Sequence, residues 1–509
     1  MDVQNLYYYR SDKEPILENI NFTIYPGTIN YIIGESNSGK SLLIKCIAGH
    51  LPYDGVVLWN QKKISKKMSY MGQKINVFES LTVLDTIQFY HQLYCPKKYS
   101  KDFYMKYLKP FFLTEVIDSI VGKISDCYKR ILILSCHLLI NHPIILLDEP
   151  LIEYDNEISF TIFNIVRNHV KNNDNICIIT MPPSSTKHIK QGDNIYVLNN
   201  KTLILENKIF WLNYSNHEYI EIKINDDENN QNIQDDKKTC DCGKKLLYRE
   251  MILIIRNKFE ILKRFLIIIM FTLFQTSILG PMSIIINKNM YTHNIFMQFS
   301  IFMHLIIIFF TSSMLPILFI VPFFTSQSII ENEINEGWYD SVTIYAIKYI
   351  LEISRTLILG SIYNFFICLP IIRTQNNFYW ILNINILILM LFTTIQILNF
   401  SCIFKNMHKT LGCTLFYNIF SFSLNMGFLI FFKNRFTSFL QFLSIQHLQT
   451  NSILMYLNHN HSYVWIINRL NILPNIFKNH YEPVLLSLGY FFSLSVFYFL
   501  MIWIKNNIR

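Results

Sequence analysis

Eight consecutive residues, Gly34-Glu35-Ser36-Asn37-Ser38-Gly39-Lys40-Ser41, have types and spacing suited to holding phosphate. A glycine-bounded loop lets backbone N–H groups wrap phosphate oxygens, and the helix that follows presents its positive end. Lys40 adds a point charge at the β and γ phosphates, and the Ser41 hydroxyl can ligate Mg²⁺. A second constellation, Ile144-Ile145-Leu146-Leu147-Asp148-Glu149-Pro150, is an apolar run ending in two carboxylates. An extended run of that kind aims Asp148 at a Mg²⁺ shell and sets Glu149 where a general base can polarise an attacking water. Together the patterns predict binding and hydrolysis of ATP with Mg²⁺. Gly34, Ser36, Asn37, Ser38, Gly39, Lys40 and Ser41 form the nucleotide set, Ser41 and Asp148 the metal set, and Glu149 is the base.

Both patterns need strands behind them. Ile29-Asn30-Tyr31-Ile32-Ile33 precedes the loop and a helix is predicted from Ser41, the strand–loop–helix setting that phosphate loops require. Short β-branched runs alternating with mixed segments continue to about residue 215, as the buried strands of an α/β domain do. Residues 216–245 shift to Asp, Glu, Asn, Gln and Lys, a composition too polar to bury a core, and read as a linker. A bilayer-crossing helix needs about 20 predominantly apolar residues. Stretches of this kind follow over 265–284, 299–321, 356–372, 380–404, 411–432 and 483–504. The expected fold is therefore an α/β P-loop NTPase domain over 1–215, the polar linker, and an all-α transmembrane domain of six helices over 246–509.

Composition agrees with a chain that partly avoids water. Of its 509 residues 51% are hydrophobic, 15% aromatic and only 16% charged, against about 25% charged in ordinary globular domains. A purely soluble enzyme is excluded on that ground. The formal net charge of +9 is assigned to cytoplasmic membrane flanks and not to a nucleic-acid partner. Lys244, Lys245, Arg249, Arg256, Lys263 and Arg264 precede the first apolar stretch, Lys405 and Lys409 follow the fourth, and Lys505 and Arg509 close the chain. With six crossings this puts both termini in the cytosol, at a plasma or organelle membrane. The start, Met1 to Arg10, carries no signal-peptide core. Asn460-His461-Ser462 falls in the long external loop, where a glycosylation sequon is usable. Ten cysteines without regular spacing predict free thiols.

On these motifs the sequence resembles an ATP-binding cassette (ABC) half-transporter of the G (white-brown) subfamily, in which one nucleotide-binding domain precedes six membrane helices. Tyr70-Met71-Gly72-Gln73 and Leu81-Thr82-Val83-Leu84-Asp85-Thr86 resemble the Q-loop and the Leu-Thr-Val segment after it. The resemblance implies that Gln73 senses Mg²⁺ and the membrane domain as part of the catalytic machinery. Glu333, Gly337 and Tyr339 match an element, Glu-x-x-x-Gly-x-Tyr, that couples the two domains, with Asn332 where an Arg often precedes. Leu247 to Arg264 resembles the family's amphipathic connecting helix, and Leu440 to Leu454 its Leu-rich re-entrant stretch. Tyr9, the last of Tyr7-Tyr8-Tyr9, stands where an aromatic stacks on adenine; a strand aromatic packed on the sheet is the other reading. Phe428 and Leu429 resemble apolar residues that gate the substrate cavity, with lipid contact or helix packing the alternative.

Three motifs depart from the family pattern. The signature, usually Leu-Ser-Gly-Gly-Gln/Glu, falls on Ile124-Ser125-Asp126-Cys127-Tyr128, without either glycine. In the family this loop reaches across a dimer interface to the γ-phosphate held by the other subunit. Ser125 can still donate, whereas Asp126 brings a carboxylate near a polyanion, a repulsion of about 4 kcal/mol at 4 Å and an effective dielectric of 20. The switch histidine, aligned on Pro183-Ser184-Ser185, becomes Met181, with His188 seven residues on. The D-loop keeps Asp155 but loses its small residues. These departures imply a dimer with a second half-transporter, a heterodimer in preference to a homodimer, so that the partner's signature completes the site on this chain's phosphate loop. The resemblance implies export or flopping of a hydrophobic or amphipathic substrate such as a lipid, sterol or xenobiotic. The other reading is a half that binds ATP but hydrolyses it little and serves a competent partner.

Overall fold

The computed structural model describes residues 1–9, 14–59, 62–63, 68–74, 77–95, 97–150, 156–183, 189, 193–199, 201–205, 238–287, 295–372, 376–404, 406–425, 444–450, 452–453 and 481–508. They divide into two units, Met1–Arg256 with Ser328–Asp340, and Asn257–Gln327 with Ser341–Arg509.

The first unit is built on two sheets. Its strands are β1 (Asp2–Tyr9), β2 (Pro15–Thr23), β3 (Ile29–Ile33), β4 (Asp54–Trp59), β5 (Lys62–Lys63), β6 (Met68–Met71), β7 (Ile144–Asp148), β8 (Ile176–Met181), β9 (Asn194–Asn199) and β10 (Thr202–Leu205). The smaller sheet has the order β2-β1-β4-β5 and the larger β10-β9-β3-β8-β7-β6. Pairing in the larger sheet is parallel from β9 to β6, with β10 an antiparallel edge. Every residue of β3, β7 and β8 is buried. Parallel strands covered on both faces need apolar side chains on both, which is why β7 reads Ile-Ile-Leu-Leu before its Asp and why Ile dominates β3 and β8. β8 lies between β3 and β7, with Thr180 in register with Ile32 on one side and Asp148 on the other. The carboxyl ends of the three strands thus emerge along one edge, where open α/β sheets build their sites.

Helices α1 (Lys40–Ile47), α2 (Val83–Tyr94), α3 (Lys101–Leu108), α4 (Asp126–Ile140), α5 (Asn156–Asn172) and α6 (Lys238–Arg256) complete this unit. Thr82 and Asp85 form a reciprocal capping box at the start of α2, so the Leu-Thr-Val-Leu-Asp-Thr segment is a helix-start signal as well as a family motif. Ser125 caps α4, and Asn141 ends it at φ 57°, a left-handed stop that Asn tolerates. α6 begins at Lys238, inside the stretch read as linker. Its apolar positions at helical spacing bury Leu246 and Arg249, and that packing overrides the polar composition of its first turns.

The second unit holds α7 (Lys258–Asn287), α8 (Ile295–Phe319), α9 (Val321–Asn335), α10 (Ser341–Ile372), α11 (Asn376–Ile403), α12 (Met407–Asn425) and α13 (Glu482–Ile508); α9 from Ser328 onward belongs to the first unit. α11 packs against α8, α10, α12 and α13. Ile386, Leu389 and Met390 lie in one cluster with Leu305, Phe309 and Tyr363. Hydroxyls within this apolar interior are satisfied locally: Thr393 and Thr394 both donate to the Met390 carbonyl, at 2.9 and 2.8 Å, the device that lets polar side chains sit in helices away from water. Among the described residues, Ser341–Ile367, Trp380–Ile403 and Glu482–Ile504 are long and apolar enough to cross a membrane, and Leu305–Phe319 is a shorter apolar helix. The stretches expected over 356–372, 380–404 and 483–504 overlap these three. Those over 265–284, 299–321 and 411–432 fall on α7, α8 and α12, the last running past the described residues.

Candidate nucleotide site

Between Ile33, which ends β3, and Lys40, which opens α1, the chain must turn from the sheet edge into a helix. Gly34 is required there because a Cβ would come 2.6 Å from Ser38 Oγ and 2.8 Å from the Leu198 carbonyl. Asn37 and Gly39 take φ of 67° and 103°, which aligns successive N–H groups as a phosphate cradle needs. The first turn of α1 contains no acidic residue and no side-chain cap, and Ser38 Oγ is buried without a hydrogen-bond partner. Lys40 is 5% exposed; its Nζ donates to the Gly34 and Glu35 carbonyls at 2.7 and 2.8 Å and lies 3.8 Å from the Glu149 carboxylate. Burial lowers the Lys40 pKa, with Glu149 and Asp148 opposing that shift. A cavity of about 580 Å³ opens on the loop, walled by Pro15, Ile16, Pro183 and Leu198. An orphaned hydroxyl, a buried cation and an uncapped helix start together fit a polyphosphate.

The carboxylates sit at the end of β7. Ser41 Oγ and Thr180 Oγ1 both donate to Asp148 Oδ1, at 3.0 and 2.7 Å. The Glu149 amide donates to Thr180 Oγ1 at 3.0 Å, and Glu149 itself takes φ 49°, a conformation costly for a residue with a Cβ. Gln73 Nε2 donates to Glu149 Oε2 at 2.8 Å. Arg130, on α4, reaches the carbonyls of Glu149 and Gln73, each at 3.4 Å. The paired oxygens of Ser41 and Asp148 are the hard donors that suit Mg²⁺.

The structure thus brings Gly34, Lys40, Ser41, Asp148, Glu149 and Gln73 together, and adds Thr180 and Arg130, which sequence reasoning missed. Thr180 was marked by being the one hydroxyl in an otherwise apolar strand. Other expected site residues lie apart. Tyr9 is 45% exposed on β1, its ring stacked on Tyr7 at 6.3 Å. Ser125 serves as N-cap of α4, accepting from the Tyr128 amide at 3.4 Å. Asp126 is exposed at the same helix start and paired with Lys129 at 2.9 Å. Met181 is 3% exposed at the end of β8; strand alternation turns Thr180, not Met181, toward the carboxylates. Asp155, Ser184, Ser185, His188, Phe428, Leu429 and Asn460 lie outside the described residues.

Glu333 and Tyr339 form a second cluster within the first unit. Glu333 is 2% exposed, held bidentately by Arg249 Nη1 at 2.9 Å to each oxygen, and it accepts from the hydroxyls of Tyr90 and Tyr339. Gly337 makes the turn between them at φ 81°. Arg249 lies over the rings of Phe89 and Phe78, at 4.3 and 4.5 Å. Arg249, counted in the sequence among the basic residues before the first apolar stretch, is turned inward by aromatic faces and a carboxylate partner. Arg256, counted with it, pairs with Asp85.

A parallel sheet with a strand inserted between the phosphate loop and the acidic strand end, joined to a small antiparallel sheet, defines an ATP-binding domain of the ABC type. Residues 17–152 match the family model "ABC transporter", so the N-terminal part of the chain is an ABC transporter ATP-binding domain. It is similar to ABC transporter G family member 4 of Arabidopsis thaliana, 30% identical over 203 residues, covering 38% of this chain and 35% of that protein. It is also similar to ABC transporter G family member 23 of Dictyostelium discoideum, 26% identical over 253 residues, 44% of this chain and 35% of that protein. The match therefore spans about a third of the length of these relatives. The ADP conformation of an ATP-binding cassette of an ABC transporter aligns with TM-score 0.34 and 23% identity, over 40% of this chain and 88% of the other.

Proposed function

We propose that the chain is a half-transporter of the ABC G type, using ATP to move a hydrophobic or amphipathic compound such as a lipid, sterol or xenobiotic across a membrane. The observation that carries this is the convergence of Lys40, Ser41, Gln73, Asp148 and Glu149 on one site of an ABC domain, in a chain that continues into apolar helices of bilayer-crossing length. Gly34 to Ser41 hold the phosphates, with the Ser38 hydroxyl as an added donor. Ser41 and Asp148 would hold Mg²⁺, which when bound would supply charge neutralisation to the phosphates. Glu149, fixed from below by Thr180 and from the side by Gln73, orients the attacking water. Six crossings, two cytosolic termini and coupling through Glu333, Gly337 and Tyr339 belong to the same reading.

Asp126, exposed where the family signature carries glycine, and Met181, without a polar group at the switch position, favour a heterodimer in which the partner supplies the signature for this chain's loop. They also favour the second reading, a half that binds ATP and leaves hydrolysis to its partner's site. The test is MgATP binding and ATP turnover by the full chain, alone and with the subunit that co-purifies with it from native membrane. Lys40→Ala is expected to lose MgATP binding, and turnover is expected only in the pair. Fast turnover by the chain alone, abolished by Glu149→Gln, would remove both the heterodimer and the second reading. Absence of MgATP binding removes the transporter itself.

A further inference from the structure

We propose that Arg264 on α7 and Arg355 on α10 form a binding site for the phosphate of an anionic phospholipid. The proposal goes beyond the nucleotide site and rests on the reading above only in placing the helical unit in a bilayer. Both residues belong to that unit, in which α7 packs against α10. The inward face of α7 runs through Arg264 and, one turn on, Ile268, which are 8% and 1% exposed. Arginine keeps its charge in proteins, so a guanidinium buried there has to be met by an anion. The chain supplies none. Among the described residues Arg264 makes no hydrogen bond and no ion pair: its Nε is enclosed without a partner, while Nη1 and Nη2 are unpaired but not enclosed.

The neighbouring charges do not make up the deficit. Glu352 on α10 is already taken: Arg355 Nη1 donates to both of its oxygens, at 2.8 and 3.1 Å. Glu260 precedes Arg264 by one helical turn, a spacing suited to a surface pair, but lies 3.9 Å from Lys263 Nζ instead. Of the charges acting on Arg264 the strongest is that of Arg355, itself a cation, ahead of Glu352 and Glu260. Two guanidinium groups thus share one carboxylate, and one positive charge is left over. A phosphate diester offers two free oxygens to the pair of Nη groups, the bidentate geometry to which arginine is suited. Phosphatidylcholine brings its own cation and leaves the surplus in place, whereas a lipid of net negative charge cancels it. Depth and surroundings favour a lipid over a free anion. Arg264 directly precedes the apolar stretch that begins at residue 265, the level at which head groups lie. The outward side of α7 exposes Leu262, Leu266, Ile269 and Met270, a surface for acyl chains, and basic pockets between membrane helices are where anionic head groups bind.

The experiment uses the full chain in nanodiscs of phosphatidylcholine, alone or with a minor fraction of phosphatidylglycerol. It measures thermal midpoints and the phosphatidylglycerol retained per protein after detergent extraction. The wild type is expected to retain phosphatidylglycerol at about 10-fold its share of the bilayer, the worth of one charge-assisted hydrogen bond, and to melt higher in its presence. Arg264→Gln is expected to lose both effects, yet to match or exceed the wild-type midpoint in pure phosphatidylcholine, because it removes an uncompensated buried charge. Lys263→Gln, the same change of charge at a half-exposed neighbour, is expected to behave as wild type. Equal losses in the two variants mean diffuse attraction to the surface and overturn the site. A midpoint of Arg264→Gln below that of the wild type in pure phosphatidylcholine means that Arg264 is already paired within the chain, and overturns it as well. Inorganic phosphate added to the phosphatidylcholine discs separates the sources: a rise in the wild-type midpoint as large as that with phosphatidylglycerol makes the ligand a free anion, and the lipid assignment falls. Should Arg264→Gln fail to fold, the lipid retained by the wild type decides, since absence of enrichment overturns the proposal. A chain that stays in the aqueous phase removes the bilayer reading itself, and this site with it.

Discussion

Thr180 is a small residue with a large share in the geometry of the site. Its hydroxyl gives its proton to Asp148 and takes one from the Glu149 amide, so it fixes one carboxylate and supports the positive φ of the other. Groups that orient a metal's ligands typically change metal affinity 10- to 100-fold when removed. Thr180→Val should therefore weaken the Mg²⁺ dependence of nucleotide binding about 10- to 100-fold, and Thr180→Ser should restore most of it; isothermal titration of Mg²⁺ into the ATP complex measures both. The loop and the acidic strand end were legible in the sequence because backbone and side-chain chemistry there tolerates few residue types. Thr180 and Arg130 were not. Their roles depend on the order of strands in the sheet and on where α4 crosses them, which no local pattern encodes.

At the scale of elements, the turn after α9 and the helix α6 hold each other through Arg249 and Glu333. Removing one partner of a buried ion pair leaves an uncompensated charge and costs about 3–5 kcal/mol, whereas replacing both with apolar residues of similar volume costs far less. Arg249→Ala should show a loss of that size in denaturant unfolding of the first unit, and Arg249→Met with Glu333→Leu should recover most of it. The sequence marked Leu247 to Arg264, which takes in the second half of α6 and the first turns of α7, as an amphipathic helix and Glu333 as part of a family element. It could not mark which of several basic residues on that helix turns inward, because Arg249 becomes a core residue only when Phe78, Phe89 and Glu333, from distant parts of the chain, meet around it. The helical start of α6 inside the stretch read as a linker was not legible for a related reason: composition there is polar, and tertiary packing supplies the face to bury.

For the whole molecule, the division into an α/β unit and a helical unit followed from one change in the period and polarity of the chain. Among the described residues, three helices carry the length and hydropathy for crossing by themselves, while α7 carries Lys258, Glu260, Lys263 and Arg264 in its first turns. The proposed topology, six crossings with both ends on one side, predicts that tags at residues 1 and 509 are cut together by protease added to the cytosolic face of sealed vesicles. Cleavage of one and protection of the other would require an odd number of crossings.

The first unit is not contiguous in the chain: thirteen residues, Ser328–Asp340, return to it from within the helical part. A gene fragment stopped after codon 256 would therefore encode an incomplete body, with the Arg249 guanidinium stranded in an apolar socket and Tyr90 without its carboxylate. Such a fragment should aggregate or purify only with chaperones, and a synthetic peptide spanning 328–340, added in trans or fused through a short tether, should rescue its solubility. Anyone wishing to crystallise the ATPase half by itself has to carry that splint along.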